Sequence, residues 1–308
     1  MDLNKGGWNM YSKALKKDSY GYLFIAPFFI IFIIFGLYPI IYSFYLSFTK
    51  WDGFGNPIFN GLTNYQRLLG DYLFYKSLFN TLFIWGISVI PQLTVSLLLA
   101  VILHEKFIKG KSIFRAVFFF PNIVTAASLG LLIGLMFSWQ SGSFNNLLLN
   151  LGLINEPINW PNMPNFMRML VSSVLFWQYF GYSMIIYIAG LQGMSRELTE
   201  AAEIDGATKV QVFFKITLPL LKPIILFQVV TSIIGGMQIF DQPYTLTNGT
   251  GNPDNATLTS VMYLYKTAFT RYQYGYGSAI AFGIFLVIVI FSIISFMLMK
   301  QKTNNENE

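Results

Sequence analysis

Six long apolar stretches restrict the fold of this chain more than any other feature of its sequence. A helix that crosses the hydrocarbon core of a membrane needs about 20 mainly apolar residues. The stretches that meet this requirement are residues 22–44, 78–103, 114–139, 169–191, 223–240 and 278–299. We therefore predict an all-α integral membrane protein with six transmembrane helices, in one transmembrane domain over residues 21–300.

The composition agrees with a membrane protein and argues against several other classes. Only 11% of the 308 residues are charged, whereas soluble domains carry about 25%. The chain has no cysteine and one histidine, His104, so disulfides and thiolate or histidine metal sites are not expected. We also expect no catalytic residue. A membrane enzyme is an alternative, but buried carboxylates are few and no Ser-Lys pair is evident.

The distribution of lysine and arginine predicts the orientation. If the N-terminus is cytoplasmic, fourteen of the twenty basic residues fall on the cytoplasmic side, as the positive-inside rule requires. The N-terminal segment 1–20 and the tail 301–308 are then both cytoplasmic. The first apolar stretch is too long for a cleaved signal peptide, so we expect it to be retained. The rule also explains the net charge of +6, so we expect no nucleic acid partner. We expect the chain to contact membrane lipid.

A charged loop, residues 192–222, interrupts the apolar sequence between the fourth and fifth spans. Ser195 is a candidate N-cap for a first helix. Leu198, Ala201 and Ala202 then fall at positions i, i+3 and i+4, which makes one small apolar face. Acidic residues recur every three positions beside that face, at Glu197, Glu200 and Glu203.

A glycine and a capping pattern divide this charged loop into two helices. Gly206 is placed to end the first helix in a left-handed turn. Thr208 and Gln211 have the spacing of a capping box for a second helix, and Pro219 and Pro223 mark the return to the membrane. Such a helix pair is suited to docking against a protein. The alternative is an amphipathic loop that rests on the lipid headgroups.

The charged loop also resembles a known family. Glu200-Ala201-Ala202, followed by Gly206 and by Ile-Thr-Leu-Pro at 216–219, is similar to the EAA motif of permease subunits in binding-protein-dependent ABC importers. Further similarity to the carbohydrate branch, in particular to its MalF-like half, lies in GLTNYQRLL at 61–69, Asn80-Thr81, FRAVFFFPN at 114–122, Asp-Gly-Ala at 205–207, Phe-Asp at 240–241 and Leu-Thr at 246–247. One departure is NGTGNP at 248–253, where relatives have a tighter Gly-Gly-Pro.

The resemblance implies that the charged loop is a cytoplasmic coupling helix that docks on a separate ATPase. The implied ATPase-coupling residues are Glu200, Ala201, Ala202, Asp205 and Gly206. The implied partners are a second, MalG-like permease subunit, a cytosolic ABC ATPase dimer, an extracellular solute-binding lipoprotein and a carbohydrate. ATP and magnesium would bind to the ATPase and not to this chain, which lacks a P-loop because Glu105 stands where the first glycine is required. The implied location is the bacterial plasma membrane.

Polar side chains within the apolar spans indicate a substrate path, because such groups usually face a cavity. The candidates are Trp177, Gln178, Tyr182, Ser232, Gln238 and Asp241. Amides and aromatic rings without deep basic residues suit a sugar, although the same groups could bond to neighbouring helices. The alternatives are an ABC permease for a non-sugar solute and a stand-alone secondary carrier. Such carriers usually place ionisable groups at mid-membrane.

Overall fold

The structure, a computed structural model, describes residues 22–105 and 107–304 and is helical over most of this range. Two short strands, β1 (Thr49–Lys50) and β2 (Ile58–Phe59), pair antiparallel. The helices are α1 (Tyr22–Ser47), α2 (Thr63–Leu69), α3 (Tyr72–His104), α4 (Lys111–Ile123), α5 (Ala126–Met136), α6 (Ser143–Asn150), α7 (Pro164–Gln192), α8 (Arg196–Ile204), α9 (Lys209–Val212), α10 (Leu218–Leu220), α11 (Lys222–Met237), α12 (Asp241–Leu246), α13 (Ser260–Tyr265) and α14 (Tyr274–Asn304). A π-helical turn, Phe213–Thr217, joins α9 to α10.

The described residues contain five helical segments that are long and apolar enough to cross a membrane. They are α1, α3, α7, the segment Lys222–Leu246 and the segment Tyr274–Met297. The prediction of a helical, multi-pass membrane protein is therefore confirmed. The predicted N-terminal segment 1–20 lies outside the described residues. Helix α14 continues to Asn304, and so enters the predicted tail.

The third predicted span, 114–139, requires a correction, because it is not one straight helix. It consists of α4 and α5, which are bent by 85° relative to each other. Val124 and Thr125 have extended backbones between them. The Thr125 hydroxyl accepts a hydrogen bond from the Ser128 amide at 3.2 Å. Because this cap satisfies a free amide at the start of α5, a new helix can begin there in a new direction.

Helices α3 and α7 form the centre of the bundle and pack against each other along their length. Helix α4 packs on α7, α5 packs on α12, and α11 packs on α3 and α14. Helix α1 packs on α14, but the apolar side chains over most of its length are exposed, with Phe24 84% and Phe35 75% uncovered. This exposure agrees with a helix that is surrounded by hydrocarbon.

The start of α3 is fixed by Asp71, which ties three parts of the chain together. Its Oδ1 accepts hydrogen bonds from the amides of Leu73 at 2.9 Å and Phe74 at 3.3 Å. Its Oδ2 accepts from the hydroxyls of Tyr263 and Tyr276. Burial by itself raises the pKa of Asp71, but these hydrogen bonds outweigh it and lower the pKa below the usual value. Asp71 thus holds α3 against α13 and α14.

Candidate functional site

A half-open cavity of about 330 Å³ lies between α3, α7, α11 and the segment that joins α11 to α12. This size is typical of small-molecule sites, which span about 300–1,000 Å³. The side chains and glycines in its wall are Trp85, Ser88, Gln92, Leu175, Tyr179, Tyr182, Ser183, Gln228, Thr231, Ser232, Gly235, Gly236, Gln238, Ile239, Phe240, Asp241 and Gln242. We call this space the central cavity.

Four of the six predicted substrate-path residues line the central cavity, namely Tyr182, Ser232, Gln238 and Asp241. The structure does not bring Trp177 or Gln178 into its wall. On α7 the wall residues are Leu175, Tyr179, Tyr182 and Ser183, which recur at the three- and four-residue spacing of one helix face. Gln178 borders this face but is only 5% exposed, whereas Trp177 is 42% exposed.

Most neutral polar side chains in the wall of the central cavity are already hydrogen-bonded to the protein. Gln92 Nε2 donates to Ser183 Oγ at 2.9 Å, and Gln228 Nε2 donates to the Ser183 carbonyl at 3.0 Å. Ser232 Oγ donates to the Val229 carbonyl at 2.7 Å. The two glutamines hold α3, α7 and α11 together, and all of these side chains are less available for a ligand.

A smaller set of polar side chains in the same wall makes no hydrogen bond to the described protein, and we call their polar atoms the uncommitted polar ends. Within residues 22–105 and 107–304, the side-chain polar atoms of Tyr179, Tyr182, Gln238 and Asp241 have no hydrogen-bond partner. The Trp85 indole nitrogen is buried and also lacks a partner among these residues. Trp85 was not among the sequence predictions. Aromatic residues are so common in these spans that composition could not single it out.

Gln178 has a different role from the one predicted, because it connects the central cavity to the break between α4 and α5. The wall residue Gln242 donates from Nε2 to Gln178 Oε1 at 2.8 Å. Gln178 Nε2 donates in turn to the carbonyl of Val124 at 3.2 Å. Gln178 and Gln242 are 5% and 6% exposed. A chain of two buried amides therefore runs from the cavity wall to the bend.

The charged loop forms two helices, α8 and α9, separated by a turn at Gly206. Gly206 has a φ of +86°, so the predicted left-handed end of the first helix is confirmed. The predicted capping box is also confirmed: the Gln211 amide donates to Thr208 Oγ1 at 3.3 Å, and the Thr208 amide donates to Gln211 Oε1 at 2.8 Å. Ser195 stands at the N-cap position, but its side chain makes no capping hydrogen bond.

The predicted coupling residues form the outer surface of this loop. Glu200, Ala201, Asp205 and Gly206 are exposed, and Ala202 is half-buried. Large apolar side chains lie uncovered beside them, with Leu198 51%, Ile204 87% and Val210 65% exposed. An uncovered apolar surface of this kind on a charged loop is typical of a contact site for another protein.

The charged loop also contacts the end of α3. Lys209 Nζ lies 3.1 Å from Glu105 Oε2. A second cavity of about 420 Å³ opens between these segments, and both Glu200 and Glu203 line it. The ion pair is largely exposed and adds little to stability.

Comparison with known proteins identifies the family. Residues 92–301 match the family model of the binding-protein-dependent transport system inner membrane component. The chain belongs to this family. The matched range contains α4, α5, α7, the charged loop and α11, and therefore most of the central cavity. The resemblance to ABC importer permeases is thereby confirmed.

Curated relatives match nearly the whole chain. The lactose transport system permease protein LacF of Rhizobium radiobacter is 36% identical over 294 residues, which cover 94% of this chain and 97% of LacF. The arabinooligosaccharides transport system permease protein AraP of Bacillus subtilis is 37% identical over 297 residues, covering 96% and 92%. The trehalose/maltose transport system permease protein MalF of Thermococcus litoralis is 33% identical over 290 residues, covering 93% and 96%.

Solved structures share the fold of this permease. A bacterial alginate ABC transporter, crystallised with a periplasmic protein that holds an alginate pentasaccharide, matches with a TM-score of 0.80. The match covers 94% of this chain and 97% of the other chain at 22% identity. A second crystal structure, of an ABC transporter that imports the acidic polysaccharide alginate, has a TM-score of 0.76. At this identity the similarity describes the fold alone.

Proposed function

We propose that this permease is the membrane-spanning subunit of an ATP-driven importer for sugars or oligosaccharides, and that the central cavity is part of the sugar path. The observation that carries the proposal is the set of uncommitted polar ends in the cavity wall. Tyr179, Tyr182 and Gln238 offer hydroxyl and amide groups beside aromatic surface. Hydroxyls pair with amides, and aromatic faces pack on the C–H surface of a sugar ring. The names of the curated relatives support the same substrate class.

Energy for transport would come from a separate ATPase that grips the charged loop. The predicted coupling residues, together with the exposed Leu198 and Ile204, provide an apolar surface with an acidic rim. Docking at this surface would let ATP-driven closure of the ATPase dimer move α8 and α9. Such an ATPase can shift the permease between two states only through contacts that differ between those states.

The remaining parts of the proposal follow from orientation and family. The fourteen basic residues on one side support a cytoplasmic position for both termini and the charged loop. A second permease subunit would complete the path, and an extracellular solute-binding lipoprotein would deliver the sugar. The proposed location is the bacterial plasma membrane. ATP and magnesium would bind to the ATPase and not to this chain.

Uptake after alanine replacement tests the sugar path. The complete transporter is reconstituted in liposomes with its binding protein, and uptake of lactose, maltotriose and arabinotriose is measured. Changing both Tyr182 and Gln238 to alanine removes two uncommitted polar ends, so we expect uptake to fall at least about tenfold. Trp177 lies outside the cavity wall, so Trp177→Ala should change uptake much less. Unchanged uptake in the double variant would remove the central cavity from the path.

Crosslinking tests the docking surface. The natural chain has no cysteine, so an introduced cysteine is the single thiol in this chain to which a reagent can be attached. A photoactivatable reagent attached at Ala202→Cys should capture the ATPase subunit. The control is Ser141→Cys, an exposed position in the connection between α5 and α6 that is predicted to lie on the opposite side of the membrane. Capture from Ser141→Cys, or from neither position, would contradict the proposed docking and orientation.

A further inference from the structure

We propose that Asp241 makes the central cavity selective by charge, so that neutral and cationic sugars are accepted and oligosaccharides of uronic acids are excluded. The inference rests on the proposed function. It starts from the composition of the cavity wall. Among the described residues that line the cavity, Asp241 is the one that carries a formal charge at neutral pH. The other polar wall residues are amides, hydroxyls and an indole.

The charge of Asp241 is not compensated by the residues that the structure describes. Among the described residues, no lysine or arginine forms an ion pair with its carboxylate, and no side chain or amide donates a hydrogen bond to it. Two amide donors of the wall are engaged elsewhere, since Gln242 donates to Gln178 and Gln92 donates to Ser183. Asp241 is also exposed. Its carboxylate therefore presents negative charge to anything that enters the cavity.

The dimensions of the cavity make this single charge effective. A ligand held in about 330 Å³ cannot move far from a carboxylate in the wall. A cleft lined by one sign of charge concentrates the field that a ligand meets. A uronate would therefore meet repulsion without an opposing cation. A neutral sugar could use the same carboxylate as a hydrogen-bond acceptor for its hydroxyls.

The fold itself does not decide this preference. The same architecture, with a TM-score of 0.80, serves a transporter crystallised with a binding protein that holds an alginate pentasaccharide. Alginate is an acidic polysaccharide. The fold alone therefore does not set a preference for or against anionic sugars, and Asp241 is the charged side chain that the described cavity wall offers to set it here.

Charged thiol reagents measure this effect without knowledge of the natural sugar. Ser232 lines the cavity, and the chain lacks native cysteine, so Ser232→Cys introduces one reporter. The full transporter carrying it is treated with a cationic and an anionic methanethiosulfonate of similar size. The rate at which each reagent modifies the introduced cysteine is divided by the rate at which the same reagent reacts with a free thiol in solution. The ratio of the two normalised rates then reports the sign of the field in the cavity, because changes in the reactivity of the thiol itself cancel.

We expect the normalised rate to be higher with the cationic reagent than with the anionic one. Asp241→Asn should lower the ratio of the cationic to the anionic rate at least about fivefold. Asp241→Glu keeps the charge and should keep the ratio. The control is Asp254→Asn, which removes a carboxylate outside the cavity that pairs with Lys76 at 3.1 Å, and should leave the ratio unchanged. A ratio that is the same with aspartate and asparagine at position 241 would overturn the proposal. So would equal effects of the Asp241 and Asp254 changes.

A neutral reagent and a neutral sugar separate this inference from the proposed function. Asp241→Asn should change the rate of modification by neutral methyl methanethiosulfonate by no more than about twofold, which shows that the cavity is intact. If this rate changes more, the ratio of the two normalised rates is compared between Asp241→Glu and Asp241→Gln instead. Neutral oligosaccharides should slow modification of Ser232→Cys. If none of them does so while the charge ratio still depends on position 241, the sugar assignment fails and the charge filter stands.

Discussion

At the scale of single residues, the most consequential side chain is Gln178, because it serves three elements at once. It accepts from Gln242 at the cavity wall and donates to Val124 at the bend. It extends from α7, the helix that packs along α3. An unpaired polar group in such a buried place is costly, so the amide must find both partners for the bundle to be stable.

Replacement of this amide should destabilise the permease. Gln178→Leu leaves the Gln242 amide and the Val124 carbonyl without their partners, and we expect a loss of about 1–3 kcal/mol. The midpoint of thermal unfolding of the purified protein in detergent measures it. The control is Gln66→Leu, which changes an exposed glutamine. Equal midpoints for Gln178→Leu and the natural protein would contradict the role of Gln178 as a tie.

Asp71 supplies a pH-dependent contribution to stability. Its pKa is lowered in the folded protein, so its contribution is fully present above the ordinary aspartate pKa of about 4 and is lost as the pH falls through the folded value. We expect Asp71→Asn to lower the unfolding midpoint at pH 7. The difference from the natural protein should narrow below about pH 4. A difference that stays constant down to pH 3 would show that the charge of Asp71 is unimportant.

At the scale of secondary-structure elements, close contact between α3 and α11 shapes the central cavity. A Cβ atom added at Gly236 would lie 1.9 Å from Trp85 Cδ1, so the indole ring occupies the space that a side chain would need. At the neighbouring Gly235, a Cβ would meet nothing within 4 Å. These two glycines, both in α11, therefore form a matched pair.

Gly236→Ala should displace Trp85 and lower thermal stability, since overpacking a dense contact costs about 1–3 kcal/mol. Gly235→Ala should leave stability unchanged or raise it slightly, because alanine favours helices by up to about 1 kcal/mol over glycine. Unfolding midpoints of the two variants, measured side by side, check both expectations. A larger loss in Gly235→Ala than in Gly236→Ala would contradict the packing described here.

Local and repetitive features of this fold could be predicted from the sequence. Five continuous spans follow from runs of apolar residues, and the turn at Gly206 with its Thr208–Gln211 cap follows from neighbours in the chain. The break at Val124 was not predicted, because the span as a whole stays apolar enough to cross a membrane across Pro121, Asn122 and Thr125. Likewise, α7 is apolar on most of its surface, so its pattern could not show that Tyr179, and not Gln178, faces the cavity. Both outcomes depend on which helix packs where.

At the scale of the whole molecule, the proposed cycle requires force from the charged loop to reach the bundle. Helix α9 contacts the end of α3 through Lys209 and Glu105. The segment after α9 leads without a long linker into α11, whose residues line the central cavity. The distance along the chain from the proposed docking surface to the cavity is therefore short. Movement of α8 and α9 would be passed to two of the helices that form the cavity wall.

Charge reversal in the charged loop should uncouple ATP hydrolysis from uptake. Glu200→Lys places a cation in the acidic rim, so we expect sugar uptake in liposomes to fall at least about tenfold while ATP hydrolysis in the same liposomes falls much less. The control is Glu156→Lys, an exposed position between α6 and α7. Normal uptake in Glu200→Lys, or an equal loss in Glu156→Lys, would count against docking through α8.

The break between α4 and α5 also makes the two halves of the third span independent in helical phase. In an unbroken helix such as α7, one inserted residue turns every later side chain by about 100° around the axis. At Val124–Thr125 an inserted residue would be absorbed by extended backbone, at the expense of the hydrogen bond from Gln178. The face of α4 that packs on α7 can therefore change in sequence among relatives independently of the face of α5 that packs on α12.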